Sequence, residues 1–308
     1  MTKRPERLAG VADADLSGVE ALVTGSTSGI GREAALALGR LGADTVVVHG
    51  RDENAGAKLV DDLAGTGTDA EFVRADFADV DSVRHLAATV REDTGGLDLL
   101  LNNAGGFFRE GRRTDLGVEY TFHVNHLSPY LLTAELLDHL TESARVVTTA
   151  SAAHTGTSLD IERTTGSDPD AGSWAYSHSK LANVLFAAEL ARRLDAAGRS
   201  VTSNSVHPGA IPGSGFARFL PGPLPRLVRL LDAVPGVTSV ADGAAELLFV
   251  AVSDRTADVT GRYFGGQQPT PPSEPAQNSQ NARRLWTESA RLLEVEEPLA
   301  GYAEPERA

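Results

Sequence analysis

Short runs of β-branched and apolar residues alternate with longer segments of helical period along most of this 308-residue chain, and few folds satisfy that pattern. Residues 19–24, 45–49, 71–75, 97–101, 145–150 and 201–206 read as strands; 30–41, 54–63, 80–93, 116–140 and 176–197 read as helices. Strands alternating with helices of this length build right-handed βαβ units, whose parallel sheet must be covered on both faces. The expected fold class is therefore α/β, a single-domain doubly wound parallel sheet occupying residues 17–266, with an N-terminal extension over 1–16. Ligands of such sheets bind beyond the carboxyl ends of the strands, near the point where strand order reverses. Chemistry is accordingly sought just after each strand.

Two stretches interrupt the alternation. Residues 208–235 are dense in Pro and Gly and carry Phe216, Phe219, Leu220 and Leu224, the composition of a substrate loop or lid. Residues 267–308 begin with a Pro-rich spacer; beyond it Leu285, Trp286, Ser289, Leu292 and Leu293 recur at helical spacing, which predicts a C-terminal helix docked on the body.

Composition narrows the function. The chain has no cysteine, which excludes disulfides, thiolate metal sites and cysteine nucleophiles. Forty-two acidic against 28 basic residues give a net charge of −14, which argues against nucleic acid or an anionic membrane as partner. Neither a secretory signal core nor an apolar run of membrane-spanning length is present, so a cytoplasmic location is expected. A phosphorylated ligand would need basic groups gathered locally, and only three lysines exist: Lys3, Lys58 and Lys180.

The first strand runs into Thr24-Gly25-Ser26-Thr27-Ser28-Gly29-Ile30-Gly31 and then a helix. Glycines let the chain turn tightly and let a pyrophosphate approach the backbone, while the helix start offers free N–H groups and the positive end of its dipole. After a first strand, this Gly-x-x-x-Gly-x-Gly turn reads as dinucleotide binding. The second strand ends in Val48-His49-Gly50-Arg51, without the carboxylate that would hold a ribose 2′-hydroxyl. Arg51, with Arg32 past the glycine turn, favours a 2′-phosphate and hence NADP(H).

Tyr176-Ser177-His178-Ser179-Lys180 opens a long helical segment, where positions four apart share a face. An ammonium beside a phenol favours the phenolate and would make a usable general acid/base. Ser151 ends the fifth strand at the same sheet edge; Asn102, Asn103, Ala104 and Gly105 follow the fourth, and Asn125 lies in the next helix. His154 and His178 are read as packing or surface residues.

These stretches, TGSTSGIG (24–31), NNAG (102–105), VNHLSPYLLT (124–133), RVVTTASAAH (145–154), AYSHSKLANVLFAAELARRL (175–194), SVHPG (205–209) and NARRLWTESARLL (281–293), resemble the short-chain dehydrogenase/reductase family and its retinol-dehydrogenase-like branch. The resemblance spans roughly residues 17–295 and implies a Rossmann fold. It implies that Tyr176 exchanges the proton of an alcohol or carbonyl, that Lys180 holds the nicotinamide ribose and lowers the Tyr176 pKa, and that Ser151 bonds the substrate oxygen. Asn125 would organise a relay water. Asp76 and Phe77 would line the adenine pocket, Asn103 and Ala104 the adenosine ribose, and Ile211 would meet the carboxamide. After Pro208-Gly209 the family usually carries a pyrophosphate-binding hydroxyl at the position held here by Gly213, so the grip of that loop departs from the pattern.

The expectation is an NADP(H)-dependent oxidoreductase interconverting an apolar small-molecule alcohol and its ketone or aldehyde, as a homo-oligomer, without a membrane partner and without a metal. A C=C reductase on the same scaffold and a non-catalytic NADP-sensing protein are the alternatives.

Overall fold

The computed structural model describes residues 3–166, 172–209 and 238–302. Strands β1 (Glu20–Val23), β2 (Thr45–Gly50), β3 (Asp69–Arg74), β4 (Leu97–Asn102), β5 (Leu140–Thr149), β6 (Thr202–His207) and β7 (Tyr263–Gly265) form one parallel sheet in the order β3-β2-β1-β4-β5-β6-β7. Strand order reverses between β1 and β4, which sets the ligand crevice there.

Residue alternation along the strands explains why both faces are covered. Leu22, Val47, Leu100 and Val146 enter one hydrophobic cluster, while Ala21, Val23, Val46, Val48, Leu101 and Val147 enter the other. Helices α1 (Gly29–Arg40) and α2 (Glu53–Ala64) cover the second face. The first face carries α3 (Val80–Asp93) and α4, which is built from Tyr120–Phe122, a π-helical turn His123–Leu127, and Ser128–Leu136. It also carries α5 (Gly172–Ala196). Helix α6 (Val240–Val252) lies with α1, and α7 (Ser279–Leu293) with α4 and α5.

The doubly wound sheet is as expected, and the differences have local causes. The helix expected over 116–140 starts only at Tyr120, because Gly117 takes a left-handed φ of +71° and buried Glu119 caps the first turn. It ends at Leu136, and the residues from Leu140 belong to β5. Neither α6 nor β7 is expected from the pattern. Nine of the thirteen residues of α6 are buried, so it has no polar face to give a period, and β7 has only three residues.

Described segments before β1 and after β7 pack on the body. Glu6 is buried and takes two hydrogen bonds from Arg40, at 2.9 and 2.8 Å, while Ala9, Val11 and Leu16 join the α1/α6 cluster. On α7, Trp286 stacks on Phe186 of α5 (centroids 5.7 Å apart, planes at 12°) and meets the edge of Tyr130 of α4 at 5.0 Å. Its indole N–H donates to Pro298 O at 3.1 Å. Arg193 of α5, itself buried, bonds Glu189 and Glu297 at 2.7 Å each and so ties down the chain beyond α7. Trp286→Ala is expected to lower the unfolding free energy by about 3–5 kcal/mol, measured by urea denaturation.

Candidate active site

The carboxyl ends of the strands open onto a cleft of about 890 Å³. At one end lies the glycine turn. Gly25 and Gly29 have φ of +66° and +60°. A Cβ on Gly25 would lie 2.8 Å from Ala104 Cα, and one on Gly31 would lie 2.5 Å from Asn103 Nδ2 and 2.6 Å from Gly25 O. Gly31 therefore acts by leaving room beneath the turn, whereas Gly25, Thr27, Ser28, Gly29 and Ile30 line the cleft. Asp52 and Asp79 cap α2 and α3 with their side chains, but Ser28 makes no such bond to α1. The first-turn N–H groups of α1 are thus left for an anionic ligand.

Ser26 faces away from that space. Its hydroxyl accepts from His49 N–H at 2.9 Å and its own N–H donates to His49 O at 2.9 Å, which fastens the turn to β2. The His49 ring accepts from Gly25 N–H through Nδ1 (3.2 Å), so Nε2–H donates to Ala75 O (3.1 Å). Burial pulls its pKa down to about 4, and the neutral ring stacks on Phe77 at 4.5 Å. A neutral, fully engaged imidazole thus stands at the strand end where an acidic residue would read a ribose.

Arg51 reaches the cleft rim more than half exposed, 3.8 Å from Asp76, which also lines the cleft. Arg32 does not line it. Its guanidinium lies 2.5 Å from Asp62 on α2 and 3.6 Å from Glu33, because the helical turn carries it toward the acidic face of α2. The expected pair of arginines is therefore a single one at the cleft in this arrangement.

The loop after β4 forms the middle of the cleft, with Asn103, Ala104 and Gly105 on its wall. Gly105 needs its missing side chain, since a Cβ would lie 2.9 Å from Asn125 Oδ1 and 3.6 Å from Lys180 Nζ. Asn125 sits beneath, buried in the π-helical turn of α4. Its two amide N–H groups donate to Gly106 O and Ser179 Oγ at 2.9 Å each, and its Oδ1 accepts from Gly106 N–H at 2.9 Å.

Ser151, Tyr176 and Lys180 meet at the far end. Burial raises the Tyr176 pKa, and a hydrogen bond with Ser151 opposes that shift. Lys180 is buried, donates to Thr149 O at 2.9 Å, and lies 5.8 Å from the centre of the Tyr176 ring. Burial pulls its pKa down to about 8. Burial, which pattern reasoning on a helix face does not include, is thus the largest influence on the phenol, and the opposing one comes from Ser151 rather than from the ammonium.

His154 and His178 are packing groups. Nε2 of His154 accepts from Ser273 N–H (3.0 Å), so Nδ1–H donates to Ser151 O (2.7 Å); Nε2 of His178 accepts from Asp160 N–H (3.0 Å) and its ring stacks on Trp174. Pro208 and Gly209 line the cleft, with Gly209 at φ +90°. Ile211, Gly213 and most of the 208–235 loop lie outside the described residues. Sequence reasoning did not single out Phe107, Phe108 and Tyr120, which line the cleft; Phe107 lies 5.6 Å from the Tyr176 ring. Two aromatics directly after a strand-end glycine pair were the available signal.

Among the described residues no cluster of metal-ligating side chains is present, and no helix is long and apolar enough to cross a membrane. The glycine turn, the uncapped start of α1 and the basic rim at Arg51 fit a dinucleotide. Three buried rings, His49, His123 and His126, have pKa values lowered by burial to about 4, 4 and 3. Each binds its proton more readily in the unfolded chain, near 6.5, so its contribution to stability is full above that value and is lost as pH falls toward 4. The unfolding free energy should therefore drop between pH 7 and pH 5 by about 2 kcal/mol per neutral ring. Urea titrations at the two values measure it, and an unchanged midpoint would show the rings charged in the fold.

Comparison with known proteins agrees with this geometry. The family profile described as short chain dehydrogenase matches residues 20–219. The chain is 36% identical over 304 residues to human retinol dehydrogenase 13, covering 92% of this chain and 87% of that one. It is 38% identical over 280 residues to mouse polyprenol dehydrogenase, covering 88% and 83%. A solved short chain dehydrogenase from Burkholderia cenocepacia in complex with NADP superposes with a TM-score of 0.65 at 28% identity, covering 85% of this chain and 99% of that one. With its seven-stranded parallel sheet, its glycine turn at the β1 end and its Ser151, Tyr176 and Lys180 at one cleft end, this chain belongs to the short-chain dehydrogenase/reductase family and is retinol-dehydrogenase-like.

Proposed function

We propose that the protein is an NADP(H)-dependent oxidoreductase that interconverts an apolar alcohol and its ketone or aldehyde, with Tyr176 as general acid/base. The observation that carries this reading is the convergence of Ser151, Tyr176 and Lys180 at one end of a cleft whose other end is a glycine turn opening α1. When bound, NADP(H) supplies or accepts the hydride. Thr27, Ser28, Gly29 and Ile30 would hold its pyrophosphate, Asp76 and Phe77 its adenine, Asn103 and Ala104 its adenosine ribose, and Lys180 its nicotinamide ribose.

The chain's own part is positional and protonic. Ser151 holds the substrate oxygen by its hydroxyl. Tyr176 Oη gives its proton to that oxygen in carbonyl reduction and takes it back in alcohol oxidation. Because burial keeps the phenol protonated at neutral pH, the site stands ready in the acid form, the one reduction requires. Lys180 presents an ammonium below its value of about 8 and hydrogen-bonds Thr149 O, which fixes its reach. Phe107, Phe108, Tyr120 and Val124 give the cleft an apolar wall beside Tyr176, and the names of the retinol and polyprenol relatives support an apolar substrate.

A panel of carbonyls and alcohols run with both cofactors tests the reading. Tyr176→Phe should cut turnover by about 10²–10⁴-fold while leaving the NADPH dissociation constant within twofold, by stopped-flow and fluorescence titration; unchanged turnover on a confirmed substrate sinks the acid/base assignment. NADPH should be preferred over NADH, and Arg51→Ala should shrink that preference by about 10–100-fold, the loss of roughly 1.5–3 kcal/mol from one charge-assisted phosphate contact. A wild-type preference for NADH would overturn the Arg51 argument.

A further inference from the structure

A buried side-chain hydrogen bond joins the C-terminal helix to α4 at a residue that the proposed reaction does not use. His126 follows Asn125 in the π-helical turn of α4, with no exposed surface to speak of. Its Nε2 lies 2.9 Å from Oγ of Ser289, which is 163 positions later on α7. The Ser289 hydroxyl already donates to Leu285 O at 2.7 Å, so Nε2 carries the proton and Ser289 Oγ accepts it. Around the ring pack Phe122 at 5.0 Å, Phe186 at 6.1 Å and Tyr130 at 6.4 Å, and Asn183 of α5 lies against it.

Two routes run from this contact to the reacting end of the cleft. Through the backbone, His126 fixes its neighbour Asn125, whose amide bridges the loop after β4 at Gly106 and α5 at Ser179. Through α5, Asn183 donates to Thr149 O at 3.0 Å, the same carbonyl that accepts from Lys180 at 2.9 Å. A π-turn inside a helix persists only where surrounding contacts hold it. Here the contact is a buried imidazole N–H that no water can reach and that needs an acceptor. Without one, relaxation of the turn to regular α-helix would rotate Asn125 away from Gly106 and Ser179.

We propose that Ser289 and His126 are positioning residues for catalysis, by which the C-terminal helix holds the π-turn so that Asn125 and Lys180 stay in register with Tyr176. The proposal rests on the acid/base reading given above. It makes α7 part of the working site although no residue of α7 lines the cleft.

The test uses the full chain and compares Ser289→Ala, His126→Phe and His126→Gln, each alone and Ser289→Ala also with Asn125→Ala. Ser289→Ala and His126→Phe should lower kcat about five- to twentyfold, the scale of a sub-ångström misplacement, with the NADPH dissociation constant within twofold. His126→Gln, whose side-chain N–H can reach Ser289, should recover most of the lost kcat. With Asn125→Ala already present, Ser289→Ala should have almost no further effect, since the two act on one arrangement. Full wild-type kcat in Ser289→Ala and His126→Phe, with or without a lower melting temperature, overturns the proposal. So does an equal loss with and without Asn125. Tyr176→Phe run in parallel separates the failures: if it is silent the acid/base reading falls and the positioning role with it, whereas a large loss there with silent Ser289 and His126 variants removes the positioning role alone.

Discussion

One buried hydroxyl joins the two halves of the site. Thr24 Oγ1 donates to Leu101 O at 3.2 Å and accepts from the N–H groups of Asn103 and Ala104 at 3.0 Å each. Thr24 stands at the end of β1, where the glycine turn begins; Asn103 and Ala104 stand at the end of β4, across the point where strand order reverses. Both lone pairs and the proton are engaged in a place without water, so loss of any one partner would leave a buried polar group unpaired. The same loop continues through Gly105 and Gly106 to Asn125, and so the glycine turn and the Tyr176 end of the cleft share one chain of close contacts. Three of those contacts, at Gly25, Gly31 and Gly105, exist only because no Cβ is there.

That dependence explains what the sequence reveals and what it hides. The two-sided sheet is legible because strands covered on both faces must be apolar at every position, and Leu22-Val23, Val46-Val47-Val48 and Leu99-Leu100-Leu101 are. The glycine turn is legible because left-handed backbone and close approach both demand glycine. Helix α6 is hidden because nearly all its faces are buried, and β7 because three residues carry no period. Arg32 and Arg51 look alike in sequence, yet only the fold shows that Asp62 stands beside the first. The same limit applies to Ser26, whose hydroxyl is taken by the backbone of β2.

The electrostatics follow from burial more than from charge count. In a molecule of net charge −14, the groups that shape the cleft are governed by desolvation: His49 is a neutral ring, Tyr176 keeps its proton, and Lys180 is an ammonium whose pKa burial lowers to about 8. Desolvation opposes charge on each of them and so keeps the phenol an acid and the imidazole an acceptor. A helix-face argument correctly pairs Tyr176 with Lys180, but it treats both as if they stood in water. The structure places the ammonium against Thr149 O instead, 5.8 Å from the centre of the phenol ring.

Burial also assigns the chain ends their work. The segment before β1 uses Glu6 against Arg40 and Lys3 against Asp242 to brace the α1/α6 face, behind the glycine turn. The segment after β7 uses Trp286, Arg193 and Ser289 to brace the opposite face, behind Tyr176 and Asn125. Helix α7 covers apolar surface of α4 and α5. It does so with a hydrogen bond to His126, the residue next to Asn125. Packing that merely shielded α4 and α5 would need only apolar contacts; a serine carried into that core, with its hydroxyl committed to one imidazole, is what selects a single register for the turn.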